Sequence, residues 1–189
     1  MTVTNAIRAR RAHRDYLDKP VARSQVAALI ETATWAPSGM NAQPWRFVVV
    51  DDPGALAALA AQAKARLLAA GDAAPAVLSE MLARPEFHIF YNAPVLVVIC
   101  ATTTDDMAGK DCCLAAQTLM LAAHDEGLGT CWIGLAESWL STPEGKRALG
   151  LDETDRPIAP LILGWPATAP DNPGRRPAKI DFVSPAPAA

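Results

Sequence analysis

No G-x-G-x-x-G follows a strand-like run in this 189-residue sequence, and neither G-x-x-x-x-G-K-S/T nor G-x-S-x-G occurs. Those absences disfavour an ordinary Rossmann dehydrogenase, a P-loop enzyme and a hydrolase built on a nucleophile elbow. Any phosphorylated cofactor must then be held by side chains. No apolar run reaches about 18 residues, so no segment is expected to span a membrane. The opening Met1-Thr2-Val3-Thr4-Asn5-Ala6-Ile7-Arg8 has no basic end leading into an apolar stretch, and no secretory signal is expected. None of Cys100, Cys112, Cys113 and Cys131 forms a C-x-x-C pair. They read as reduced thiols of a cytoplasmic protein, with the adjacent Cys112 and Cys113 on different sides of a helix. His13, His88 and His124 are too far apart in sequence for ligand spacing, and no metal site is expected.

The hydrophobic fraction is 51%, the charged fraction 20% and the net charge -3. That is a globular balance, and it argues against a nucleic-acid-binding body. The length suits a single domain, taken as residues 1–183, with a short Pro/Ala tail at 184–189. Helical and strand-like segments alternate along it, which predicts an α/β or α+β fold. A helix is expected at about residues 3–10, then an extended link over 15–23. A second helix starts from Ser24 as N-cap, with Val26, Leu29, Ile30 and Ala33 on its inner face. Strands are expected at 45–51, 95–101, 131–135 and 158–164. Asp52-Pro53 opens a helix with Leu56, Leu59, Ala60, Ala63 and Leu67 on one side. Residues 71–93 read as a loop with a short helix, a candidate mobile cover over a site. The helix expected at about 110–126 is apolar on nearly every side, and a second protomer would supply the extra cover. From Trp165 onward the chain is rich in proline and reads as an extended tail.

Three stretches carry candidate chemistry. Arg8-Ala9-Arg10-Arg11-Ala12-His13-Arg14 is basic, and a helical turn would put Arg10 and Arg14 on one side, where two guanidinium forks suit a phosphate dianion. Arg175-Arg176 is a second basic pair. The loop Pro37-Ser38-Gly39-Met40-Asn41-Ala42-Gln43-Pro44 can present polar groups to a planar ring. Gly127-Leu128-Gly129-Thr130-Cys131-Trp132-Ile133-Gly134 allows close backbone approach. Taken singly, each stretch also has a plain reading: a solvated basic patch, a helix-to-strand turn, a helix cap before a buried strand.

In this order, the three resemble the nitroreductase family. Arg10-Arg11-Ala12-His13-Arg14 is similar to that family's Arg-Arg-Ser-x-Arg. Ala36-Pro37-Ser38-Gly39-Met40-Asn41-Ala42-Gln43-Pro44-Trp45 matches Ala-Pro-Ser-x-x-Asn-x-Gln-Pro-Trp in full. Gly127-Leu128-Gly129-Thr130-Cys131-Trp132 matches Gly-Leu-Gly-x-x-Trp, and Arg175-Arg176-Pro177 matches the closing basic pair. The resemblance implies an α+β fold with a central mixed, mainly antiparallel sheet flanked by helices, in an intertwined homodimer with FMN at the subunit interface. It implies that Arg10, Arg11 and Arg14, with Arg176 and Arg175, hold the phosphate and ribityl chain. Pro37, Ser38, Gly39 and Asn41 would reach the flavin from the partner subunit, and Trp132, Ile133 and Gly134 would lie beside its ring. Ala12 departs from the family's serine and removes one hydroxyl hydrogen bond.

The activity implied is a ping-pong cycle, NADPH or NADH to FMN to a nitroaromatic, quinone or similar small acceptor. No acid–base residue is required, and no catalytic residue is named. Phe87, His88, Phe90 and Tyr91 are expected to shape the acceptor pocket. Alternatives are a dehalogenase or flavin-cleaving enzyme of the same fold, a non-catalytic flavin-binding protein, and an N-terminal nucleic-acid arm, against which the acidic net charge argues.

Overall fold

A computed structural model describes residues 2–69 and 76–183. The start of the 71–93 segment and the expected tail at 184–189 lie outside the described residues. The elements are α1 (Val3–Ala9), α2 (Arg23–Ala33), a 3-10 turn (Gly39–Asn41), β1 (Trp45–Val50), α3 (Pro53–Ala69) and α4 (Ala76–Ala83). They continue with β2 (Val95–Ala101), α5 (Asp106–Asp125), β3 (Gly129–Trp132), a second 3-10 turn (Gly134–Ala136), α6 (Glu137–Leu140), α7 (Pro143–Ala148) and β4 (Arg156–Gly164).

The four strands form one sheet in the order β1-β2-β4-β3. All three pairs among these strands are antiparallel, and among the described residues the parallel component is a single bridge from Ala12 to Thr130. Every residue of β2 is buried, because helices cover both faces of the sheet. Val95, Val97 and Ile99 alternate onto the face covered by α2 and α5. Leu96, Val98 and Cys100 turn to the face covered by α3 and α6.

Asp52 caps α3 as its sequence implies, its Oδ1 accepting the Ala55 N–H at 2.8 Å. Leu56, Leu59, Ala60 and Ala63 are buried beneath it, with Leu67 packed at the margin. Two helix starts differ from the sequence reading. Ala22, not Ser24, is the N-cap of α2, because Gln25 reaches back with Oε1 to accept the Ala22 N–H at 3.4 Å. α5 begins at Asp106, ahead of the expected Lys110, because Asp105 accepts the Ala108 N–H at 2.9 Å. The third strand begins at Gly129 and stops at Trp132, and residues 134–136 form a turn where strand was expected.

α5 buries one face within the chain, including Cys112, Ala115, Ala116, Leu119 and Ala123. Cys113 and Leu114 remain exposed on the other. Among the described residues no helix is long and apolar enough to cross a membrane.

Candidate functional site

The chain leaves α1 at Arg10, whose backbone is extended (φ -55, ψ 133). It then runs beside β3: Ala12 bridges Thr130, and the His13 N–H donates to Thr130 O at 3.0 Å. Residues 10–14 are therefore extended and not the helical turn expected from the spacing. The side-chain consequence survives, because alternate residues of an extended segment share a side. Arg10 and Arg14 both act on the buried Cys131 thiol. Burial pushes that thiol up, and Arg14 and then Arg10 pull it back. Close packing fixes the segment: a Cβ on Gly129 would lie 2.7 Å from His13 Cγ.

The tail brings a third guanidinium near. Arg10 is held below its ordinary value by burial first, then by the charge of Arg11, with Arg175 adding to the effect. Arg11 donates through Nη1 to Arg8 O and Arg10 O, each at 2.7 Å, and its Nε is buried without a partner. No carboxylate pairs with Arg10, Arg11, Arg14 or Arg175 among the described residues. Arg176 is exposed.

On the far side of Arg14 lies the 84–92 segment. The Arg14 guanidinium sits 6.0 Å from the Tyr91 ring centroid, and Phe87 meets Tyr91 edge-on at 5.6 Å. Arg14, Arg84, Phe87, His88 and Tyr91 are among the residues lining a cavity of about 280 Å³. Lys64 on α3 anchors the segment by donating to Arg84 O at 2.5 Å and Phe87 O at 3.0 Å. Phe90, expected in the pocket wall, is instead fully buried in the core beneath α3.

The Pro37–Pro44 loop is a tight structure in which Met40, Asn41 and Gln43 all have positive φ (54, 56 and 49). Ser38 Oγ accepts the Gln43 N–H at 3.0 Å, and Asn41 Oδ1 accepts from Gln43 Nε2 at 3.2 Å. The Gly39 N–H points at Asp111 of α5, 3.3 and 3.2 Å from its two carboxylate oxygens. Pro37 carries the chain into this loop from α2.

After β3, the Trp132 indole donates to Glu137 Oε1 at 2.7 Å, and Gly134 is exposed. The Ile133 N–H is already used inside the sheet, donating to Pro160 O at 2.8 Å.

Within one chain these groups do not meet at one point. The loop is tied to Asp111, near the start of α5, whereas His13 neighbours His124 at its other end. The two are separated by about 20 Å of helix. The arginines, Cys131 and Tyr91 form one cluster, and the loop forms another. Lys64, Asp111 and Glu137 were not singled out from sequence as members of these clusters. Asp111 carried the one usable signal, a carboxylate in an otherwise apolar helical run.

The Nitroreductase family model matches residues 7–165. A provisionally named NADH dehydrogenase/NAD(P)H nitroreductase from Methanothermobacter thermautotrophicus is 29% identical over 185 residues, 93% of this chain and 82% of that one. A 5,6-dimethylbenzimidazole synthase from Rhodospirillum rubrum is 33% identical over 170 residues, 83% of this chain and 78% of that one. The crystal structure of a nitroreductase with bound FMN from Bacteroides fragilis superposes with a TM-score of 0.86 at 26% identity, covering 97% of this chain and 100% of that one.

Proposed function

The chain belongs to the nitroreductase family, and from that premise we propose that it is an FMN-dependent NAD(P)H oxidoreductase working as a homodimer. The observation that carries the proposal is the group of Arg10, Arg11, Arg14 and Arg175, gathered with no paired carboxylate among the described residues, Arg10 and Arg11 half-buried and Arg14 and Arg175 exposed. Like charges assembled this way repel one another, and a dianionic phosphate is the group that offsets them. The unpartnered Arg11 Nε fits the same need. The FMN in the Bacteroides fragilis relative supports the flavin, and the name of the Methanothermobacter thermautotrophicus relative supports the nicotinamide reductant.

Bound FMN would supply the redox chemistry, taking hydride from NAD(P)H and passing it to a nitroaromatic, quinone or similar small acceptor in a ping-pong cycle. The chain's own work is binding and exclusion of water. Arg10, Arg11, Arg14 and the tail arginines Arg175 and Arg176 hold the phosphate end. Pro37, Ser38, Gly39 and Asn41 serve the flavin bound mainly by the other subunit, which accounts for their distance from the arginines in one chain. Trp132 and Gly134 flank the ring, and Phe87, His88 and Tyr91 wall the acceptor side. The exposed apolar residues Val3, Ile7, Met40, Met107 and Leu114 supply surface for the dimer contact. A cytoplasmic location belongs to the same proposal, supported by four cysteines that are all unpaired.

A second reading, the flavin-cleaving synthase, is favoured by the 33% identity to the Rhodospirillum rubrum relative. One experiment separates the readings. Purified protein is loaded with FMN and mixed with NADPH or NADH, anaerobically and then in air. Bleaching by the reductant, with full return of the flavin bands in air and steady turnover with a quinone, is the expected result. Progressive loss of flavin in air would give the second reading. A protein that takes up no FMN would overturn both.

A further inference from the structure

We propose that Asp111 is a positioning residue for the flavin-contacting loop: its buried carboxylate grips the Gly39 N–H and so sets how Ser38 and Asn41 are presented. The inference rests on the function proposed above and goes beyond it by naming a residue outside the family pattern.

Asp111 is 4% exposed, on the inner face of α5 between apolar neighbours. Its only hydrogen-bond donor among the described residues is the Gly39 N–H, shared between its two oxygens at 3.3 and 3.2 Å. A buried carboxylate with so little compensation is costly, and an apolar side chain of similar size would pack there at less cost. What the carboxylate adds is a fixed point for one backbone N–H at the entrance of the loop.

That entrance needs fixing. Three non-glycine residues of the loop stand in the left-handed region, a conformation that persists only when the surroundings over-determine it. Ser38 Oγ to the Gln43 N–H closes the loop on itself, and the Asn41 and Gln43 side chains bond to each other. Its far end is tied by the Thr102 N–H to Pro44 O at 3.0 Å. Among the described residues the Asp111 bond is the one hydrogen bond from α5 to the entrance, while Cys112 Sγ lies 3.9 Å from Pro44 O at the far end. The Asp111 bond acts on the residue between Ser38 and the strained pair Met40-Asn41. Gly39 itself has room for a side chain, since an added Cβ would lie 3.9 Å from Met107 Cε and 4.0 Å from Asp111 Oδ2. Its N–H, then, is the feature the contact uses.

The test measures FMN dissociation constants by quenching of flavin fluorescence on apo full-length protein. Urea midpoints of the same samples report the fold. Asp111→Ala should weaken FMN by about tenfold or more, the loss expected for a hydrogen bond to a charged group. Asp111→Asn keeps a carbonyl acceptor and should recover affinity to within about threefold. Gly39→Pro removes the same bond from the donor side; Ser38 already has the extended backbone (φ -137, ψ 152) that precedes proline. Combined with Asp111→Ala it should add little further loss, because both changes delete one interaction. If Asp111→Ala does not fold, Gly39→Pro alone carries the test. Wild-type affinity in Asp111→Ala or Gly39→Pro, with wild-type protein binding FMN, overturns this inference and leaves the proposed function standing. Failure of the wild-type protein to bind FMN overturns both.

Discussion

Position 12 carries a methyl group where the family pattern carries a hydroxyl, and the structure gives that difference a location. Ala12 lies in the extended segment between Arg10 and Arg14, bridged to Thr130, with its side chain partly buried against the core beneath α3. Alternation puts it on the arginines' side, toward the proposed phosphate site. Ala12→Ser should therefore tighten FMN by about tenfold, the upper end of what one added hydrogen bond contributes. A titration of apo protein reads this directly. A weaker variant that also melts earlier would mean that the hydroxyl enters the core instead, and the assigned direction of residue 12 would be wrong. The cysteines belong to a different account. Cys100 and Cys112 are pushed up to about 12 by burial, so they are packing groups and not nucleophiles.

Among the elements, the extended segment at 10–14 was the least legible in the sequence. Its i, i+4 arginines fit a helix as well as a strand, and what decides is the free edge of β3, which no local pattern reveals. β2 and α3 were read nearly as they stand, because a wholly apolar run and a capped 3.6-residue stripe need no tertiary information. The family-like stretches were also legible, but the contacts that position them were not: Asp111 to Gly39, Lys64 to residues 84–87 and Arg14 to Tyr91 all join residues far apart in sequence. His13, wedged between β3 and α5, offers a test of this docking. Burial first, with His124 and Arg10 adding to it against a backbone bond at Thr168, holds His13 below its ordinary 6.5. It takes up its proton at lower pH in the fold than in the unfolded chain, which protonates as pH falls through 6.5. The unfolded state then binds more protons, so stability must fall as pH is lowered through that range; above it the site adds no slope. The urea midpoint of apo protein should drop between about pH 7.5 and 5.5, and the drop should be smaller in His13→Gln. His88, also lowered by burial and then by Lys64, leaves a residual slope. An equal drop in the variant would mean that His13 is not confined as described.

For the whole molecule, the decisive feature is that the Pro37–Pro44 loop is tied to Asp111 while the 10–14 segment neighbours His124, two positions of α5 separated by about 20 Å of helix. If both serve one FMN, the site needs two chains, and each chain supplies halves of two sites. Two variants that are each empty must then complement one another. Arg10→Ala/Arg14→Ala removes the phosphate side, and Ser38→Ala/Asn41→Ala removes the loop side. Refolded together in equal amounts, random pairing puts half the dimers in the mixed form. Each mixed dimer has one site built from two intact halves and one from two damaged halves. About a quarter of all sites should therefore bind FMN, against almost none in either parent refolded alone. A site contained within a single chain predicts no recovery at all, because every chain in the mixture carries one damaged half. The size of the recovered fraction, read from flavin absorbance after gel filtration, thus distinguishes a shared site from a private one. A monomer in the same gel filtration would remove the premise.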